Sequence, residues 1–406
     1  MSAYKLPIAT AFIFFPIIAF IFTLPFLIYQ YRKYGSIPFL RSVIFYSFIL
    51  YLLCAYFLVI LPLPTIDEVK NLTTETTQLV PFDFIRQLSN TISFHWNELS
   101  SYLTVIKSPA FYIAAFNILL TLPFGVYLRY YFECKWHKII LYGFLLSLFF
   151  ELTQLTGLYG IYPRPYRLFD VDDLILNTAG ALLGCLLTPL ISKILPSRKE
   201  LDEHSFRRGK KVTFFRRALS YCIDFFFLVI MVMVVSILSY NTEVSKYNLL
   251  LSIILYYIGI PLFTNGKTFG KMILKLQVTS NQEISNIKNK VKVALRYLLS
   301  YVLFYYQFII IELVRNISVD NELTSIIRNS SILILKIYFW LNVIWIIKSL
   351  VTKDKRFLYE KITGTENIST IDYEIKSDNE LEINQKNSNV KENKKEDEDV
   401  RNKKDK

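Results

Sequence analysis

Nine apolar runs dominate this chain, each long enough to cross a hydrocarbon core ~30 Å thick. They lie at about 6–29, 42–62, 109–128, 138–156, 173–195, 215–239, 247–264, 294–313 and 331–350. No backbone group can turn to water inside lipid, so such runs read as helices that satisfy their own hydrogen bonds. The expected fold is an all-α polytopic membrane protein of about nine transmembrane helices in two bundles, five plus four. A soluble fold would leave these runs unexplained in a chain of 406 residues that is 53% hydrophobic. The mean hydropathy of +0.35 agrees.

The formal net charge of +13 would suggest nucleic acid in a soluble protein, but here the basic residues gather in particular loops and set orientation instead. Arg32, Lys33 and Arg41 follow the first run; Arg129, Lys135 and Lys138 follow the third; Lys193, Arg198, Lys199, Arg207, Arg208, Lys210 and Lys211 follow the fifth. Lys267, Lys271, Lys275, Lys288, Lys290 and Lys292 follow the seventh, and Lys353, Lys355, Arg356 and Lys361 the ninth. All five loops are expected to be cytoplasmic, with the N-terminus outside and the C-terminus inside. The first run is long and lacks a strong basic n-region and an A-x-A type site, so it reads as a retained helix. Four cysteines, three within apolar runs and Cys134 in a basic loop, imply no disulfide framework. The segment 63–108 is then extracytoplasmic, either lying along the membrane surface or capping the bundle.

The most informative stretch runs from Arg167 to Gly184, where a charged loop passes directly into an apolar segment. Asp173, Asn177, Gly180 and Gly184 project within roughly 60° of one another at ~100° per residue. A stripe of polar and small side chains faces other helices, because carboxylates and amides aimed at lipid go unpaired. Glu151 and Gln154, three apart near the end of the preceding run, share a face with Ser147 and offer a complementary surface. Under the expected topology Asn117, Glu151 and Asn177 sit roughly 8 to 12 Å below the outer surface, counted at ~1.5 Å per residue. The pattern E-x-x-Q followed by R-x-F-D-x-D-D-L-x-x-N-T-x-G-x-x-x-G, with Asn117 ahead of Pro123-Phe124-Gly125, closely resembles the VanZ-like membrane proteins over roughly residues 40 to 195.

A second unit opens with Arg217 and Asp224, continues with Gly266-Lys267-Thr268-Phe269-Gly270-Lys271, and includes Arg296. It closes with Tyr359-Glu360 ahead of Gly364-Thr365. This resembles the RDD family, named for an Arg and two Asp residues. The closing motif of that family usually reads His-Asp, and here the charge is carried on the longer Glu360. The glycine loop lacks the spacing of a phosphate-binding P-loop and follows a membrane helix, so nucleotide is not its expected ligand. It reads as a tight turn leading to a short amphipathic or extended piece where Lys275 meets anionic lipid.

The expected organisation is a VanZ-like five-helix domain at 1–195, a basic cytoplasmic linker at 196–212, an RDD-like four-helix domain at 213–367 and a disordered charged cytoplasmic tail at 368–406. Asn117, Glu151, Gln154, Arg164, Arg167, Asp170, Asp172, Asp173 and Asn177 are expected to form an outward-facing pocket. In it Arg164 and Arg167 face phosphate, while the carboxylates and amides shape the site. Two plainer arrangements compete: a salt-bridge and hydrogen-bond network pairing Arg167 with the aspartates and Asn177 with Gln154, and a site for a hard divalent cation. Arg217 and Asp224, seven apart, read as a structural pair or an ion-translocation element. No activated Ser, Cys or His accompanies the acids: His95 falls in the outer loop, and His137 and His204 are cytoplasmic. No catalytic residue, metal site or cofactor is therefore assigned, and an enzyme is the less expected class. The resemblance implies a multi-pass protein of the bacterial cell membrane and envelope that affects glycopeptide (teicoplanin-type) antibiotic resistance. Its implied partners are membrane lipids or a lipid-linked cell-wall precursor, with no nucleic acid. The alternatives are a transporter of ions or small solutes, with Asp224 and Glu360 as carriers in the RDD domain, and a non-catalytic membrane scaffold.

Overall fold

A computed structural model describes residues 5–91, 99–240, 242–280, 287–319, 321–352 and 356–371. Among them, eight helices are long and apolar enough to cross a membrane, and a ninth candidate is a bent pair. The chain divides into two compact units, one of residues up to Leu27 with Ile37–Asp202, the other of Ile28–Ser36 with the chain from Glu203 on. Helix α1 (Lys5–Tyr34) contributes to both.

In the first unit α2 (Phe39–Ile60) leads into a connection holding α3 (Ile66–Lys70), β1 (Thr77–Gln78), α4 (Asp83–Thr91) and α5 (Leu99–Lys107). Three further spans follow: α6 (Pro109–Tyr130), α7 (Trp136–Leu155) and, after the short turn α8 (Gly157–Gly160) and β2 (Phe169–Asp170), α9 (Val171–Ile191). Local chemistry sets their starts. Ser108 accepts the Phe111 N–H ahead of Pro109, and Asp170 accepts the Asp172 N–H. The small residues bring α6 and α9 into backbone contact: a Cβ on Gly180 would sit 2.3 Å from Ile118 O, and one on Gly125 1.8 Å from Ala181 O. Phe124, Leu128, Ile139, Ala181 and Cys185 fill the core beside that contact.

Of the two arrangements open for 63–108, the described part adopts the cap. Strand β1 pairs in parallel with β2, Thr77 opposite Phe169 and Gln78 opposite Asp170. Val69 is fully buried and clusters with Tyr162 and Tyr166. Residues 92–98, including His95, lie outside the described part.

A helix, α10 (Arg198–Gly209), occupies most of the stretch read as a linker. The second unit then builds on α11 (Phe214–Leu238), started by Thr213 accepting the Arg216 N–H. The next span, Val244–Phe263, is helical throughout but changes pitch, with α12 (Asn248–Ile254), a π segment at Leu255–Gly259 and α13 (Ile260–Phe263). Gly266, at φ +78°, turns the chain into Thr268, the cap of α14 (Phe269–Ile273). Strand β3 (Leu276–Ser280) follows and pairs antiparallel with β4 (Thr365–Ser369). The glycine loop is therefore the tight turn and extended piece that its sequence suggests. Ile368 and Ser369, assigned from sequence to a disordered tail, are the last residues of β4; from residue 372 on, the tail lies outside the described residues.

The eighth run differs from expectation. Helix α15 (Ile287–Tyr297) continues as a π segment to Tyr305, and α16 (Gln307–Arg315) leaves it at 71°. The change of hydrogen-bond pitch at the π segment gives the bend its physical origin. The ninth run starts earlier than its apolar core, as α17 (Glu322–Val351), because Asn321 and Thr324 form a capping box. A short α18 (Leu358–Thr363) and β4 complete the unit.

Candidate functional site

The motif residues of the first unit converge, with different partners from those expected. Asn117 on α6 donates to the Asp173 carboxylate on α9. Asn177 Nδ2 donates to Ser147 Oγ on α7 at 3.0 Å, and Ser147 donates to the Asp173 carbonyl at 3.1 Å. Thr121, unrecognised in the sequence, is fully buried and donates to the Asn177 carbonyl at 2.7 Å. Glu151, 2% exposed, accepts the Asp170 N–H at 3.0 Å. Asp172 accepts the Phe82 and Phe84 N–H groups, so the carboxylate opening α9 holds down the cap.

Both arginines are committed to backbone. Arg167 donates to Val59 O at 2.6 Å and Leu61 O at 3.2 Å, the carbonyls that end α2. Arg164 donates to Leu72 O and Thr74 O in the cap. The Arg167–aspartate pairing gives way to this arrangement among the described residues, because helix-end carbonyls have no partner of their own. Gln154 donates to Val59 O at 3.2 Å rather than meeting Asn177.

The electrostatic result is a cluster of acceptors. Among the described residues no ion pair reaches Glu151, Asp170, Asp172 or Asp173. Arg167 acts on Glu151 and Asp173 only through space. The Asn177 Oδ1 atom is buried without a partner. Burial, and then repulsion from Asp172 and Asp83, raises the Asp170 carboxyl above its usual range, against the opposing Asp172 N–H bond. No group of three or more His, Cys, Asp or Glu able to hold a metal occurs among the described residues.

The second unit holds a different cluster. Asp224 is fully buried and accepts from Thr268 Oγ1 at 2.7 Å, the Gly270 N–H at 2.7 Å and Tyr256 OH at 2.8 Å. Glu360 bridges Arg296 at 2.7 Å and Arg217 at 3.1 Å, and also takes the Phe357 N–H and Asn367 Nδ2. Arg217 therefore pairs with Glu360, not with Asp224. Seven residues restore the helix face but separate the two by ~10 Å along the axis, beyond reach of an ion pair. Burial alone would raise the Glu360 carboxyl, but Arg296 and then Arg217 hold it below the usual range. The longer side chain of Glu360 is accommodated within a fully bonded site.

Arg216, the neighbour not singled out, is the buried arginine at the start of α11. It is 0% exposed and donates to Leu274 O, Lys275 O, Gly209 O, Gly35 O and Ser369 Oγ at 2.7 to 3.3 Å. Its signal was present: Arg216, Ser220 and Asp224 recur every fourth position on a largely apolar helix, and all three are buried.

The VanZ/LLP1 family model matches residues 48–192, and the RDD family model matches residues 211–364. No curated protein and no solved structure matches the chain. The paired motifs, the apolar helices and these two matches identify a multi-pass membrane protein in which an N-terminal VanZ-like domain is fused to a C-terminal RDD domain.

Proposed function

We propose that the VanZ-like domain recognises a hydrogen-bond-donating head group at the outer face of the cell membrane, the hydroxyls or amine of an envelope lipid or a lipid-linked wall precursor. Through that contact the protein affects tolerance of glycopeptide (teicoplanin-type) antibiotics, the role that the VanZ-like resemblance implies. One observation carries this reading: Glu151 and Asp173, from two different spans, present carboxylates without an ion pair beside the unpartnered Asn177 Oδ1. Acceptors held in a poorly solvated site favour a ligand that brings donors.

The test uses neutral isosteres that keep one acceptor each. Glu151→Gln and Asp173→Asn are expected to leave membrane abundance within about twofold of the parent while removing most of the drug-tolerance phenotype. Loss of abundance would instead favour the scaffold, and full retained tolerance would remove the head-group reading. Transport through the RDD domain has less support, because Asp224 and Glu360 are each bonded by several fixed donors. A carrier carboxylate needs to release its partners.

A further inference from the structure

The RDD domain encloses a cavity of about 290 Å³ whose polar wall is cationic. Arg217, Lys271 and Arg296 line it, and no carboxylate does. Four cations stand in this region, counting Arg216, against two carboxylates, Asp224 and Glu360. That leaves an excess of two positive charges in a poorly solvated place, where charge attracts an opposite partner strongly.

Three groups on the wall have unused donors. Arg296 is 3% exposed and spends one guanidinium nitrogen on Glu360; its Nε and Nη1 atoms are buried and have no hydrogen-bond partner. The Tyr297 hydroxyl lies beside that guanidinium, but it donates to Gly266 O and no bond between the two meets hydrogen-bond geometry. Ser220, 1% exposed, has a hydroxyl with no partner. Lys271, 5% exposed, makes one hydrogen bond, to Tyr301 OH at 3.1 Å. Buried donors are ordinarily satisfied, so a guanidinium edge, a hydroxyl and an ammonium left open around one cavity mark an absent acceptor.

The remaining wall is mostly aromatic and aliphatic, with Tyr221, Phe304, Tyr305 and Ile346, and adds Ser300 and Asn367, whose buried Oδ1 is an acceptor left without a partner. A second cavity of about 300 Å³ shares Phe214, Arg217 and Phe357 with the first and adds Lys211 and Val212. The arrangement suits a small oxyanion with room for an apolar extension. We propose that this cavity binds a phosphate group, either free or as the head group of an anionic lipid. The bidentate edge of Arg296 and the ammonium of Lys271 bind its oxygens, and Ser220 donates the third contact.

The experiment uses the full-length protein in an uncharged detergent, titrated separately with inorganic phosphate, short-chain phosphatidylglycerol and a short-chain diacylglycerol that has the same tails and no phosphate. Two readouts are followed: the thermal midpoint, and the alkylation rate of Cys222, an exposed cysteine on the cavity wall. A higher midpoint and severalfold slower alkylation with phosphatidylglycerol alone would assign a lipid. The same protection by inorganic phosphate would assign the free anion. Equal protection by diacylglycerol, or none by either phosphate compound, overturns the proposal. Arg296→Gln is expected to weaken binding tenfold or more. Because Arg296 also holds Glu360, Ser220→Ala is the paired variant: its hydroxyl bonds nothing, so folding is kept while affinity falls a few fold. Unchanged affinity in Ser220→Ala together with Arg296→Gln would also refute the site.

Discussion

At the scale of the residue, several arginines of this protein act on backbone carbonyls. Arg167 closes the end of α2, and Arg216 gathers carbonyls of Gly35, Gly209, Leu274 and Lys275, each at or just past a helix end. A helix end near lipid exposes acceptors that neither the chain nor water satisfies, and a planar fork of five donors answers several at once. Arg216→Met is expected to destabilise the RDD domain by about 3 to 5 kcal/mol, since each abandoned buried carbonyl costs ~1 kcal/mol or more. Arg216→Lys should recover little, because one ammonium cannot span those acceptors; a melt matching the parent would refute the fork argument. Lys271 makes a second prediction. Burial lowers its ammonium to about pKa 8, opposed by Asp224 on α11 and Glu360 on α18 and assisted by Arg296 and Arg217, with Tyr297 and Tyr301 against its head. The group is charged below that value and neutral above it. The anion-induced shift in thermal midpoint should thus be full at about pH 7 and shrink by about pH 9.5, and Lys271→Arg should flatten the profile. A flat profile in the parent would place the whole attraction on the arginines.

At the scale of the element, the stripe on α9 was legible because it depends only on spacing within one helix. Asp173, Asn177, Gly180 and Gly184 needed no knowledge of a neighbour to be placed on one face, and that face meets α6. Their partners were not legible. Whether Asn177 meets Gln154 or Ser147 is fixed by the axial register of α7 against α9, and the carbonyls that Arg164 and Arg167 hold carry no letter in the sequence. The bend at Tyr306 was hidden for a related reason. The run from 294 to 313 contains neither Pro nor Gly, so its change of pitch has no local marker. The α6–α9 contact makes a direct prediction. At Gly180 even a methyl group meets Ile118 O at 2.3 Å, and the obstacle is backbone, which cannot swing aside. Gly180→Leu should cost at least about 1–3 kcal/mol and lower abundance. Leu186→Ala, at an exposed position on the same helix, should leave abundance unchanged. Equal abundance of the two variants would mean the close approach is not needed.

At the scale of the whole molecule, the bent pair decides the number of crossings and with it the relation between the two chain ends. Eight unbroken spans alone put both ends on one side of the membrane; counting Ile287–Arg315 as a broken ninth span puts them on opposite sides. The charges discriminate. Lys288, Lys290 and Lys292 stand in the first turns of the pair, Lys348 stands in the last turn of α17, and Arg356 and Lys361 follow it. If the pair only dips into the membrane and returns, α17 carries this last basic group, and the Lys-rich chain after it, to the outer face, against the bias that retains Lys and Arg inside. If the pair crosses, both basic groups stay inside and only the short turn between α16 and α17 emerges. The crossing arrangement, with the N-terminus outside and the C-terminus cytoplasmic, is therefore the expected one. A protease site appended after residue 406 should resist cleavage in intact cells and be cut once the membrane is opened, while one appended before Met1 should be cut in both. Cleavage of the C-terminal site in intact cells would make the pair re-entrant.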